Sequence, residues 1–157
     1  AEAEPLYRRI YQEYERSLGA RHQHTLTGAY NLAIVLRAQG KLAEAEPLYS
    51  QVLLGREAEL GPDHKDTLVS VWSMALLRQG QGQGRLEEAV GLYRRALKGY
   101  EEHLGSNQPT TLSVALGLAS ALDGQGGREE AEALYRRAVS GLEAACGPDH
   151  ESAAEAR

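Results

Sequence analysis

The sequence predicts an all-α fold: a solenoid of antiparallel helix pairs with about seven helices. Three observations carry that prediction. The first is a fixed period. Thr25-Leu26 recurs as Thr67-Leu68 and Thr111-Leu112, and Leu6-Tyr7 recurs as Leu48-Tyr49, Leu92-Tyr93 and Leu134-Tyr135, in steps of 42, 44 and 42 residues. "EAEPLY" itself stands at 2–7 and again, letter for letter, at 44–49. The second is that apolar residues inside each period recur at three- and four-residue steps, the mark of an amphipathic helix. The third is that no segment alternates with period two, so no strand is predicted. Neither helix of such a unit can bury its apolar stripe alone, and stacking successive hairpins buries it.

Residues 1–24 read as the second helix of a truncated repeat. The opening AEAEPLY, without Met and inside a helical pattern, and the closing ESAAEAR predict a piece of a longer protein. The first full repeat is 25–66. In "TLTGAYNLAIVLRAQG", Leu26, Ala29, Leu32, Ala33 and Leu36 form one helical face, and Gln39-Gly40 ends it, with Gly suited to the left-handed C-terminal position. In "LAEAEPLYSQVLLGREAELG", Leu42, Ala45, Leu48, Tyr49, Val52 and Leu53 form a second face, stopped by Gly61-Pro62. Pro5 and Pro47 fall near the front of second helices and predict a mild bend there. The next repeat is 67–110. It carries a two-residue insertion in "QGQGQG" (79–84), read as loop extension rather than a phosphate loop, since it follows a helix and no Gly-Lys-Ser/Thr follows it. Arg78 stands where the first repeat has Leu36, so this first helix is expected to end early. The third repeat is 111–152, and 153–157 begins another. Each inter-repeat turn has one pattern: "LGARH" (18–22), "LGPDH" (60–64), "LGSNQ" (104–108) and "CGPDH" (146–150).

Composition excludes several classes. Apolar residues make up 42%, with no Phe, one Met, one Trp and eight Tyr, well above the disordered range. The net charge of −5, both signs interspersed, lacks the basic stripe that nucleic-acid binding needs. No apolar run approaches the roughly 18 residues of a membrane span, and no signal peptide is visible. The single Cys146 cannot form an internal disulfide, so a cytoplasmic location is expected. No carboxylate pair, nucleophile–base pair or metal set stands out from the repeat pattern, so neither catalysis nor a cofactor is expected. Tyr7, Tyr49, Tyr93 and Tyr135 are one packing slot. His22, His64 and His150 read as structural turn residues, because they sit on successive repeats and His22-x-His24 lacks further ligands. Cys146 replaces Leu18, Leu60 and Leu104 as a small buried hydrophobe. The Arg pairs 8–9, 94–95 and 136–137 read as a solvated outer face, with Glu4 placed to pair with Arg8.

"NLAIVLRAQGKLAEAEPLYSQVL" (31–53) resembles the tetratricopeptide repeat, with Leu32, Ala33, Leu36, Gly40, Ala45, Tyr49 and Val52 on its packing positions. The 42-residue period, the "LGPDH" turn and "EAEPLY" resemble the repeats of kinesin light chains. This resemblance implies an adaptor or scaffold: a right-handed superhelix that binds a peptide or a helix of a partner in a concave groove lined by first helices. It also brings kinesin heavy chain or cargo into view as partners. The groove positions it implies are Thr27, Tyr30, Asn31, Ile34 and Arg37 in the first full repeat. In the second they are Val69, Trp72, Ser73 and Leu76, and in the third Ser113, Leu116, Gly117 and Ser120.

This chain departs from the family's better-known ligands. Tyr30 and Ile34 stand where carboxylate-clamping members have Asn and Lys. Only Asn31 keeps the paired Asn of cargo-binding light chains, Ser73 and Gly117 replacing its equivalents. An apolar or aromatic ligand suits Tyr30 and Trp72 better, Trp and Tyr being favoured interface anchors. The alternative expectation is a structural spacer, or self-association through uncapped ends where Leu6, Ile10, Leu134 and Leu142 lack a covering hairpin.

Overall fold

The structure, a computed structural model, describes residues 3–146, with side chains through 144. His150, the rest of its turn and the opening of the next repeat at 153–157 lie outside the described residues, as does the Cys146 side chain. Among the described residues there are seven α-helices and no strand: α1 (Ala3–Leu18), α2 (Gln23–Ala38), α3 (Leu42–Leu60), α4 (Lys65–Gly80), α5 (Leu86–Leu104), α6 (Pro109–Gly124) and α7 (Arg128–Cys146). The helices α2, α4 and α6 have 16 residues each, and α3, α5 and α7 have 19. The chain divides into two compact units, Ala1–Leu77 and Arg78–Arg157.

In the first unit α1 packs on α2 and α2 on α3. All five apolar residues of the predicted α2 face, Leu26, Ala29, Leu32, Ala33 and Leu36, are at most 2% exposed. On α3, Ala45, Tyr49 and Val52 are buried, while Leu42, Leu48 and Leu53 are half-buried at its margins. Helix α3 runs through Pro47, and α1 through Pro5. A glycine notch tightens the α2–α3 contact: a Cβ on Gly55 would lie 2.7 Å from Leu26 Cδ1. The second unit repeats the device, where a Cβ on Gly141 of α7 would meet Leu112 Cδ1 of α6 at 2.6 Å. Leu142, expected to lack cover, is therefore only 2% exposed and packs against Leu112, and Leu134 is half-buried.

The turns follow from their residues. Gly61 has φ 90° and ψ 165°, a conformation open essentially to glycine alone. Thr67 Oγ1 donates to its carbonyl at 2.8 Å, tying the next helix to the turn. Gly40 has φ 76°, the positive angle anticipated at that helix end. His22 and His64 each use Nδ1 to accept a backbone N–H two residues on, at 3.2 Å, from His24 and Asp66. They are helix N-caps, a role close to that of Ser or Asp.

Two expectations need correction. Arg78 does not shorten α4, which has the same 16 residues as α2. Its guanidinium instead leaves the helix side to pair with Glu88 at 2.9 Å and to donate to Gln81. The inserted "QGQGQG" is also not wholly loop, since Gln79 and Gly80 complete α4 and Gln83 opens a 3-10 turn over Gln83–Arg85. The Tyr slot is fully buried at Tyr49 (1%) and Tyr93 (0%) but only half-buried at Tyr7 and Tyr135, on the first and last described helices.

Candidate functional site

In the first unit the stripe Thr27, Tyr30, Asn31, Ile34 and Arg37 runs along α2 at steps of three and four, beside the buried face. Thr27 is exposed and donates to the Gln23 carbonyl at 2.9 Å. Ile34 is 36% exposed. Asn31 is half-buried, and its side chain makes no hydrogen bond among the described residues. Tyr30 is half-buried and sits edge-on to Tyr49, ring centroids 6.0 Å apart at 72°, with its hydroxyl 3.0 Å from Ser73 Oγ. Arg37 reaches inward, its Nε buried and lacking a well-formed partner. It lies beside the Tyr49 hydroxyl, whose pKa burial raises and the guanidinium draws back down. On α4, Val69, Trp72 and Leu76 are half-buried and Ser73 is buried.

A residue that sequence reasoning passed over lies at the centre of this region. Arg56 of α3 occupies the column that holds Tyr14, Tyr100 and Leu142 in the other second helices. Its Nη1 donates to the Asp66 carbonyl at 3.0 Å and to Ser70 Oγ at 2.9 Å, and its Cζ lies 5.0 Å from the Tyr30 ring centroid. Loss of water lowers its pKa, opposed by the nearby charge of Asp66. The guanidinium walls a cavity of about 190 Å³ shared with Gln23, Thr27, Glu59 and Asp66. One cation, two carboxylates, an amide and a hydroxyl can exchange hydrogen bonds with a polar ligand group. The signal was a charge in an otherwise apolar repeat column.

In the second unit the corresponding positions of α6 are engaged internally. Ser113 donates to the Pro109 carbonyl at 2.9 Å. Leu116 packs against Leu112 and Leu142. Gly117 gives room to Tyr93, whose Cε1 would lie 2.5 Å from a Cβ there. Ser120, though exposed, accepts from Gln79 Nε2 at 3.0 Å, and Gln79 Oε1 accepts from the Tyr93 hydroxyl at 2.7 Å. Gln79 thus serves Tyr93 at the repeat position where Arg37 serves Tyr49.

Among the described residues no group of three or more His, Cys, Asp or Glu side chains could hold a metal ion. Among them, too, no helix is long and apolar enough to cross a membrane. Of the Arg pairs, Arg8 bonds Glu4 at 2.9 Å and Glu44 at 3.0 Å, and Arg94 bonds Glu130 at 2.7 Å.

The tetratricopeptide repeat family model matches residues 1–53, 24–102 and 81–144. No curated protein matches the sequence. Among solved structures, the chain is similar to BtubC (BKLC) from P. vanneervenii, at 20% identity and TM-score 0.81, covering 92% of this chain and 57% of that one. It is also similar to the nearly identical TPR-like repeats of a kinesin light chain candidate from Podosopora anserina, in two crystal structures. Those matches are 25% and 26% identical, with TM-scores of 0.85 and 0.84, and cover 99% of this chain and 72% of each of those.

Proposed function

This chain belongs to the tetratricopeptide repeat family, and from that premise we propose that it binds a peptide or a helix of a partner protein along the first-helix stripe of residues 1–77. Its repeats are protein-interaction repeats, and they are similar in structure to the TPR-like repeats of a kinesin light chain candidate. The observation that carries the finer reading is the state of α2. Its core face is buried, yet Ile34 stays 36% exposed and Asn31 keeps its amide uncommitted beside the half-buried ring of Tyr30. Trp72 and Leu76 add half-buried apolar surface on α4. Apolar side chains anchor a ligand, and a carboxamide both donates to and accepts from an extended backbone. An apolar or aromatic peptide suits this stripe, with an affinity on the order of 1 μM.

The test is selection from a displayed peptide library, run in parallel on the parent chain and an Asn31→Ala/Ile34→Asp variant. Both positions lie outside the core, so the variant is expected to keep the parent's helical circular dichroism. Peptides with aromatic or aliphatic anchors retained by the parent and lost by the variant support the reading. Equal enrichment by both chains removes the stripe from the interaction.

A further inference from the structure

The Arg56 cavity of about 190 Å³ lies within residues 1–77, where the start of α2, the end of α3 and the start of α4 meet. Its walls are partly apolar, from buried Leu26 and half-open Leu60. Three of its polar residues depart from the repeat. Where this repeat has Arg56, Glu59 and Asp66, the next has Tyr100, His103 and Thr110. The stacking of hairpins therefore does not call for them. They are also only partly used by the protein. Arg56 commits Nη1 to the Asp66 carbonyl and Ser70 Oγ, and its Nε and Nη2 make no hydrogen bond among the described residues. Among them, too, no carboxylate pairs with it directly, and the Glu59 carboxylate and Gln23 carboxamide stay uncommitted. The Asp66 carboxylate lies 3.8 Å from His64 Nδ1, which is already accepting a backbone N–H.

The charge balance selects what can enter. One guanidinium against two carboxylates leaves the cavity net negative. An entering carboxylate gains Arg56 but meets two like charges. An ammonium gains the carboxylates but sits beside a like charge and leaves the guanidinium without an acceptor. A carboxamide carries an acceptor and two donors with no charge. We propose that this cavity takes the side-chain carboxamide of an Asn or Gln in the partner, its oxygen accepting from Arg56 and its amino group donating to Asp66 or Glu59. The site extends the α2 stripe, on whose reading as a ligand surface it rests, since Thr27 belongs to both. Thr27 and Ile34 stand about 10 Å apart along the helix. An extended ligand covers that distance in about three residues. The carboxamide therefore belongs about three residues from the apolar side chain set on Ile34.

The test is an NMR titration of the 157-residue chain with three single-residue probes: the N-acetyl methylamides of glutamine, glutamate and lysine. The glutamine probe is expected to shift the Thr27 and Asp66 amides and the Arg56 Nε–H saturably, in the millimolar range proper to so small a ligand. It should bind about fivefold more tightly than either charged probe, the worth of one hydrogen bond. Glu59→Gln/Asp66→Asn makes the cavity net positive and should reverse the order, glutamate binding best. Both positions lie off the apolar core, and unchanged circular dichroism confirms folding. Equal shifts from all three probes, no saturation by the glutamine probe, or an order that the double variant leaves unchanged would each overturn the proposal. The probes do not reach Ile34, so their failure leaves the α2 stripe standing. Conversely, Ile34→Asp should abolish peptide selection and still bind the glutamine probe. Selected peptides that lack Asn or Gln about three residues from their apolar anchor would count against the carboxamide alone.

Discussion

The two units place a tyrosine in the same slot and surround it differently. In the first, Tyr49 is packed edge-on by Tyr30, which reaches on to Ser73, and its hydroxyl rests beside Arg37 without a well-formed hydrogen bond. In the second, Tyr93 fits over bare Gly117 and its hydroxyl donates to Gln79, which in turn donates to Ser120. Both side chains are essentially removed from solvent. The repeat thus preserves a volume, while the polar contacts that fill its margins are free to vary. One consequence is functional: α6 spends its stripe on internal contacts, and α2 leaves Asn31 and Ile34 available.

The largest effect should come from filling the glycine space. Gly117→Val is expected to destabilise by about 3 kcal/mol, because a Cβ at 2.5 Å from the Tyr93 ring forces backbone or ring to move. Ser73→Ala at the matching position already accommodates a Cβ and is expected to cost only about 1 kcal/mol for the lost contact with Tyr30. Urea unfolding of the two variants reads the difference directly. Next in size are the hydroxyls. Tyr93→Phe leaves Gln79 without its donor and should cost about 1 kcal/mol. Tyr49→Phe removes a hydroxyl without a good partner and should change stability by less than about 0.5 kcal/mol. Equal costs would mean that Arg37 binds Tyr49 as firmly as Gln79 binds Tyr93.

Arg56→Leu exchanges a half-buried cation for the residue that Leu142 supplies in the same column. The substitution takes away the donor to the Asp66 carbonyl and Ser70 Oγ and the contact with the Tyr30 ring, so urea unfolding should show a loss of about 1 kcal/mol. Peptide selection on that variant then shows whether the Arg56 cavity contributes to binding.

The smallest effect is electrostatic. Hydrogen bonds from Lys41 and then Arg8 hold the Glu4 carboxyl down at about 2, from an ordinary 4.5. A lowered carboxyl pKa adds stability above the ordinary value and loses it as pH falls. Melting temperature should therefore decline more steeply between pH 4.5 and about 2 in the parent than in Glu4→Gln. The contribution is modest because the site meets solvent.

Periodicity made the helices and their buried faces legible before any coordinates, down to Leu26, Ala29, Leu32, Ala33 and Leu36 on α2. Apolar spacing reports which side of a helix faces inward, and that suffices for such a face. It does not report what a polar side chain at the margin reaches. Arg37 was read as a groove cation and instead turns toward Tyr49. Gln79 was read as part of a loop and proves to be a helix residue linking Tyr93 to Ser120. His22 and His64 were read as structural turn residues, and their capping bonds, which depend on ring orientation, are what the structure adds. Arg56 could have been found sooner. It breaks a column that the aligned repeats otherwise keep apolar.

The packing order also bears on how the chain acquires its structure. In Ala1–Leu77, α1 meets α2 and α2 meets α3; in the second unit, α5 meets α6 and α6 meets α7. Contacts therefore form between stretches that are already close along the chain, and little loop entropy is spent before they form. Such topologies fold in microseconds to milliseconds, and their terminal helices open before the whole does. Amide exchange should accordingly be slowest on α2 and α6, each gripped on both sides, and fastest on α1.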